Sequence, residues 1–534
     1  MTTPWWRRGI LYHIYPRSFM DMNGDGIGDL RGIAARLDYL CELGVDALWL
    51  SPIYPSPMAD FGYDVEAYTG IDARFGSFND FDALRAEVHR RGLKLVLDFV
   101  PNHTSDRHPW FLESRASRTS PRRDWYIWRD PAPDGGPPNN WLSSFGGSAW
   151  QLEPRTGQYY YHAFLESQPD LNWRNSEVRA AMHAVLRFWL DRGVDGFRVD
   201  VLWHLIKDAE FRDNPPNPAY RDGDPPHLRQ VMLYSADRPE IHEIVAELRR
   251  VVDEYDDRVL IGEIYLPVER LVAYYGVDLK GAHLPFNFQL IETAWDARGI
   301  ARMIDQYEAA VPAGAWPNWV LGNHDKPRIA TRVGVQQARV AAMLLLTLRG
   351  MPTMYYGDEL GMRDVPIPVE LVQDPLEKRF PGLGLGRDPS RTPMQWDGSP
   401  NAGFTTAAPW LPISADSAVV NVRTEREDRR SLLSLYRALI ALRRAESALA
   451  IGRYEPVAMT GDLVAFLRTD DEKRFLIALN LGGEPHAVAY SEAGPHARIA
   501  LSTHLDRAGE RVTQTLNLRP DEGVIVALHP PRTT

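Results

Sequence analysis

Cysteine is almost missing from this chain: its 534 residues include one, Cys41, so no internal disulfide can form. Within Leu40-Cys41-Glu42-Leu43 it reads as a buried helix position and a structural thiol. Long apolar runs are also lacking. The longest, Val340 to Leu348, is about half of what a membrane span requires. A leader is not evident either, because the stretch after Arg7 and Arg8 is broken by His13, Pro16 and Arg17 and no cleavage-type site follows. These absences together predict a cytoplasmic protein with no membrane partner. Excess positive charge is absent as well. Lys and Arg number 60 against 71 Asp and Glu, a net charge of −11, which argues against nucleic acid as a partner.

What is present is ordinary globular material, 44% apolar and 25% charged, with 16 Trp and 22 Tyr. Aromatic rings in such number build cores, and they also suit the flat C–H face of a sugar. Short apolar runs recur at Ile10–Tyr15, Ala47–Leu50, Leu93–Val100, Phe197–Val199, Val259–Ile261, Trp319–Leu321 and Thr353–Tyr356, with a sixth in order near Ala282–Phe286. Between them lie helical patterns such as Leu30–Leu43, Phe81–Arg91 and Arg179–Arg192. Alternation of this kind predicts a (β/α)8 TIM barrel over 1–101 and 173–452. Residues 102–172, rich in Pro, Trp and Gly, break the pattern and read as a loop-rich domain inserted after the third strand. From 453 to 534 short alternating segments (Leu463–Leu467, Phe475–Leu479, Gly523–Leu528) predict an antiparallel β-sandwich, and helix Leu432–Arg443 closes the barrel before it.

Several apolar runs end in polar residues that a barrel would gather at its C-terminal rim. In Gly196-Phe197-Arg198-Val199-Asp200, Arg198 and Asp200 share a face of the strand, and the guanidinium favours an ionised, nucleophilic carboxylate. In Leu260-Ile261-Gly262-Glu263 an apolar setting raises the Glu pKa and suits it to donate a proton. Gly322-Asn323-His324-Asp325 and Asp98-Phe99-Val100-Pro101-Asn102-His103 suit a polyhydroxy ligand. Each segment alone is also compatible with a structural ion pair, a helix cap or an Asx turn. Carboxylates at the ends of separate strands are jointly what glycoside hydrolysis requires. Apart from these, Asp21-Met22-Asn23-Gly24-Asp25-Gly26-Ile27-Gly28-Asp29 spaces its oxygens like the first half of an EF-hand loop, but Gly32 stands where the twelfth-position Glu would be. This predicts one structural Ca²⁺ or Mg²⁺ held by Asp21, Asn23, Asp25, Asp29 and the Ile27 carbonyl, or else a metal-free Asx turn.

At these residues the chain resembles the α-amylase superfamily, glycoside hydrolase family 13, along essentially its whole length. Asp98–His103, Gly196–Asp200, Gly262-Glu263 and Asn323–Asp325 look like that family's signature regions, in order. Gln168-Pro169-Asp170-Leu171-Asn172-Trp173, Phe61-Gly62-Tyr63-Asp64, Gly386-Arg387-Asp388 and Arg391–Trp396 look like the oligo-1,6-glucosidase and α-glucosidase branch, closest to bacterial α-glucosidases. The resemblance implies an exo-acting retaining α-glucosidase with Asp200 as nucleophile, Glu263 as acid/base and Asp325 gripping the ring hydroxyls. It implies that Asp64 and Arg387 hold the far hydroxyls, that Tyr63 and Phe145 pack on the sugar, and that His103, Arg198 and His324 complete the shell. The substrate would be a short oligosaccharide or disaccharide, with no catalytic cofactor. Val201 points to α-1,6 links, whereas Glu263-Ile264-Tyr265-Leu266 departs from the oligo-1,6-glucosidase pattern and leaves maltose, sucrose and trehalose open. A transglucosylase or isomerase acting on sucrose or trehalose would use the same residues.

Overall fold

Short apolar runs form strands buried on both faces when helices can cover the outside and side chains fill the inside. The computed structural model describes residues 3–458, 460–489 and 497–528. Eight such strands stand in chain order: β1 (Leu11–Ile14), β2 (Ala47–Leu50), β3 (Lys94–Phe99), β4 (Gly196–Val199), β5 (Val259–Gly262), β6 (Leu284–Pro285), β7 (Asn318–Val320) and β8 (Met351–Tyr355). Neighbours pair in parallel, and β8 returns to β1. A bridge between Asn287 and Trp319 brings β6 to β7 and completes the ring. The sixth strand is shorter than the apolar run at 282–286, with a ladder of two residue pairs; Pro285 has no N–H to extend it.

Alternation along the strands sorts their side chains. Leu11, Ala47, Val96, Val259, Leu284 and Met351 belong to one buried cluster inside the ring. Tyr12, Leu48 and Leu95 belong to a second, which packs on the helices outside. The inward series continues upward from apolar to functional residues: Leu11 to His13, Ala47 to Trp49, Val96 to Asp98, Val259 through Ile261 to Glu263. Burial of a common apolar core below thus fixes the register of the polar groups above.

Two expectations about the helices need correction. Leu30–Leu43 is two helices, Leu30–Ala35 and Leu37–Leu43, separated at Arg36 (φ −108°, ψ 8°), where the guanidinium lies 4.3 Å from the centre of the Trp396 ring. Cys41, expected to be buried, is half-buried on the second of them. No helix of the described residues is long and apolar enough to cross a membrane.

Residues 102–172 hold a helix, Pro109–Ala116, and a three-stranded antiparallel sheet in the order Trp128–Arg129, Gln158–Tyr161, Trp150–Glu153. After helix Leu432–Ala445, an antiparallel sheet of five strands (453–457, 463–469, 474–480, 523–528, 498–502) faces the pair 486–489 and 515–518. Leu476, Val524, Val526, Leu516 and Leu518 share the core between them.

Candidate active site

The inward series of β3, β4 and β5 converge on one cation. Arg198 is fully buried. Its Nη1 donates to Asp98 Oδ1 and Asp200 Oδ1, each at 2.8 Å, and its Nη2 lies 2.8 Å from Glu263 Oε2. Trp49 Nε1 and Tyr63 Oη donate to the other oxygen of Asp98, each at 3.1 Å. Asp98, absent from the expected site residues, therefore anchors Arg198 from below. The Val201 amide donates to Glu263 Oε2 at 2.7 Å. Val201 does so from a left-handed backbone (φ 36°, ψ 46°), which a β-branched residue adopts only under strain. A Cβ at Gly262, directly before Glu263, would come within 2.6 Å of the tip of the Leu202 side chain, which would have to shift to admit it.

Protonation follows from this crowding. Burial pushes the Glu263 carboxyl up; Arg198 opposes and the Asp325 charge adds. Burial and the Glu263 charge likewise push Asp200 up, against Arg198. Arg198 thus favours the Asp200 carboxylate, as the sequence suggests, but against burial and the Glu263 charge. Two carboxylates in one dry site cannot both ionise freely, so the pair titrates as a unit. Once Glu263 carries the proton, its repulsion on Asp200 vanishes and Arg198 holds the Asp200 carboxylate.

Above this floor lies a cavity of about 880 Å³. Asp200, Glu263, Asp325, Val201 and Tyr63 line it, and so do His103, Phe145, His324 and Arg387. Asp325 Oδ1 accepts from Arg391 Nη2 at 2.8 Å, and Oδ2 lies 3.3 Å from His324 Nε2. Burial would raise the Asp325 carboxyl, but His324, Arg391 and Arg387 hold it well below the usual carboxylate range. The His324 ring stacks with both Tyr63 and Tyr15; burial pushes its pKa down, and the Asp325 charge pulls it back up. Arg391 was not singled out from the sequence, though it opens the run Arg391–Trp396.

Asp64 is displaced from its expected role. It is fully buried and does not line the cavity. Its Oδ1 accepts from Ser56 Oγ (2.9 Å) and the Asp60 amide (3.0 Å), and its Oδ2 from the Ala59 amide (2.8 Å). Asp60 reaches the cavity instead, with Oδ1 2.7 Å from Arg387 Nη2 and Oδ2 accepting from Gln168 Nε2 at 3.2 Å. The left-handed residues Phe61 (φ 49°) and Gly62 (φ 107°) turn the chain between the two aspartates. Asp64 thus shapes the loop that presents Asp60. Arg387 is tied by Nε to Asp374 at 2.9 Å, and it and its partner Asp60 both line the cavity. His103 Nε2 lies 3.1 Å from the Tyr63 carbonyl and 3.2 Å from Gln168 Nε2.

The loop at 21–29 lies outside this cavity. Asp21 accepts the amides of Gly24 (2.7 Å) and Gly26 (2.8 Å), and Asp29 those of Met22 (2.9 Å) and Gly32 (2.7 Å). Asn23 Oδ1 accepts from the Asp25 amide, and Asp25 Oδ1 from Ile27. Among the described residues no three His, Cys, Asp or Glu side chains form a metal-holding group. An oxygen cage here therefore needs the Asn23 amide and the Ile27 carbonyl. Asp21 Oδ2 already accepts from the Gly26 amide and the Thr405 hydroxyl, and Asp29 Oδ2 from the Met22 and Asn23 amides, so a hard divalent ion held here would share those oxygens with their present donors.

Comparison with known proteins points one way. The alpha amylase catalytic-domain family matches residues 13–452. A protein named probable alpha-glucosidase from Rhizobium meliloti (strain 1021) is 44% identical over 496 residues, covering 90% of each chain. An oligo-1,6-glucosidase from Heyndrickxia coagulans is 37% identical over 98% of this chain and 100% of its own. A solved alpha-glucosyl transfer enzyme is 40% identical with a TM-score of 0.93, covering 99% of this chain and 100% of that one.

Proposed function

The chain belongs to the alpha-amylase family, and on that premise we propose that it is an exo-acting, retaining α-glucosidase that removes glucose from the non-reducing end of short α-glucosides. One observation carries the reading: Asp200 and Glu263 sit on the two terminal nitrogens of a single buried guanidinium and line one cavity with the paired Asp60 and Arg387. Glu263, protonated, gives its proton to the glycosidic oxygen while Asp200 attacks the anomeric carbon. The leaving alcohol departs, and Glu263, now a base, takes a proton from the water that releases glucose. Asp325, kept anionic by Arg391 and Arg387, holds ring hydroxyls in contacts that tighten as the ring flattens. In this reading Asp60 and Arg387 close the pocket at one sugar, which makes the action exo. The setting is cytoplasmic, in keeping with the single cysteine.

Linkage preference rests on Val201, whose side chain reaches the cavity beside the acid/base. An apolar branched group there favours the flexible α-1,6 link. Isomaltose should lead maltose, sucrose and trehalose in initial glucose release. Val201→Thr should shift the isomaltose-to-maltose ratio of kcat/KM by roughly tenfold toward maltose, the worth of one buried contact. An unchanged ratio would remove Val201 from any role in linkage choice. Transfer to a sugar hydroxyl instead of water uses the same steps, and the similarity to an alpha-glucosyl transfer enzyme favours it as a second reading. The same assay decides, since transfer yields new oligosaccharides in place of free glucose.

The loop at Asp21, Asn23, Asp25, Ile27 and Asp29 holds one structural Ca²⁺ or Mg²⁺ in this reading. The ion would neutralise three carboxylates and brace the helix that Asp29 caps. Exhaustive chelation should lower the melting temperature by several degrees, and adding the cation back should restore it. An unmoved melting temperature would show that the backbone amides alone suffice.

A further inference from the structure

The loop that carries Asp325 is held at both ends. Before it, Arg332 donates Nη1 to the Ile291 carbonyl at 2.7 Å and Nη2 to the carbonyl of Leu321, just past β7. After it, the Arg328 amide donates to Asp364 Oδ1 at 2.9 Å, and Arg328 Nη1 to the Tyr356 carbonyl, just past β8, at 2.7 Å. Between these ties Gly322 lies against Asp358. A Cβ at Gly322 would stand 3.6 Å from Asp358 Oδ2 and 4.0 Å from Oδ1, and would meet no other atom within 4 Å outside its chain neighbours.

Asp358 takes no part in the mechanism above. It opens a short 3-10 turn, Asp358–Leu360, set between the left-handed Gly357 and Gly361, and it is buried. Its Oδ2 accepts from the Tyr355 amide across a long 3.3 Å. Its Oδ1 is buried with no hydrogen-bond partner among the described residues, and so are Nε and Nη2 of the buried Arg328. An unpaired carboxylate oxygen and an unpaired guanidinium edge beneath one loop are costly, and such orphans call for a reason. Burial raises the Asp358 carboxyl to about 7 against the pull of Arg328; the Glu359 charge adds to the rise, and the Tyr355 amide and Arg332 oppose it. Tyr436, on helix Leu432–Ala445, faces it as a neutral phenol.

We propose that Asp358 is a positioning residue for Asp325: its carboxylate, drawn to the open edge of Arg328 beneath Gly322, fixes the height of the Gly322–Asp325 loop and with it the grip on the ring hydroxyls. The inference rests on the glucosidase reading above. Asp358 touches no substrate and moves no proton in the reaction. It acts through Asp325, which its own cationic neighbours keep ionised. A proton on Asp358 removes the attraction to Arg328, so the loop is held above a pH of about 7 and loosened below it.

The test is kcat/KM on p-nitrophenyl α-D-glucoside across pH. Asp358→Asn keeps the shape of the protonated acid. It should cost about tenfold at pH 8, the scale of a small misplacement of a positioning contact. At pH 6 it should cost about twofold or less, because the parent carboxyl is then largely protonated as well. In an Asp325→Asn background the same change should cost less than about twofold at either pH, since no grip is left to misplace. Gly322→Ala, for which there is room, seats a methyl on the carboxylate and should move the pH step upward; it decides the matter even where the amide variant does not fold. No loss at pH 8, a loss equal at both pH values, or one undiminished in the Asp325→Asn background would overturn the proposal. So would a pH step that Gly322→Ala leaves in place. No turnover by the parent enzyme would overturn the glucosidase reading instead.

Discussion

Replacing Asp200 with Asn is expected to lower kcat on any α-glucoside by at least about 10⁴-fold, a barrier increase of about 5.5 kcal/mol, while the melting temperature stays level or rises. The amide keeps the shape and the contact with Arg198 but cannot form the glycosyl ester. The stability side follows from the site's electrostatics. Burial and Glu263 push the Asp200 carboxyl up, so its charged form costs the folded state free energy. A group with a raised folded pKa contributes stability at low pH and loses it as pH rises beyond the unfolded value, about 4 for Asp. Removing the charge should therefore help most at neutral and alkaline pH, a stability gained at the expense of function. Kinetics and thermal melts at two pH values check both halves. Residual activity above about 1% of the parent would remove Asp200 from the nucleophile's role.

Arg198→Met should be harsher, because it removes function and stability together. Three buried carboxylates depend on this guanidinium. Breaking a buried ion pair from one side costs about 3–5 kcal/mol. Even with Arg198 present, burial has raised Asp98 to about 6. Without it, all three acids move further up and take protons at neutral pH. The sign is again that of raised folded pKa values: the variant should approach parental stability near pH 4 and lose it as pH rises through 6 and above. Denaturant midpoints across that range measure it. A variant equally destabilised at every pH would point to lost packing on Trp49, whose ring centre lies 5.0 Å from the guanidinium carbon, and not to lost charge.

How far these features were legible in the sequence varied with how local their causes are. Parallel strands read well because both faces are buried, so runs such as Ala47–Leu50 stand out as continuous apolar stretches. The polar residues at their ends, Asp200 and Glu263 above all, were legible for the same reason. The sixth strand was marginal because Pro285 interrupts its ladder. The aspartate pair in Asp60-Phe61-Gly62-Tyr63-Asp64 was misassigned because the choice depends on two left-handed residues that fold Asp64 under its own loop. Arg391 and Asp98 were undervalued for another reason. Their importance lies in contacts with Asp325 and Arg198, 66 and 100 residues away in the chain, and neither residue type carries that information. For Asp200 the sequence shows the neighbour Arg198, whereas the larger influences are burial and a glutamate from the next strand.

The most direct test of the double-displacement mechanism is the anomer of glucose first released from isomaltose, followed by proton NMR before mutarotation. Attack by Asp200 predicts α-glucose, equimolar with the glucose left from the reducing end. β-Glucose appearing first would mean a single inverting displacement by water, and would contradict Asp200 as nucleophile and Glu263 as its acid/base partner.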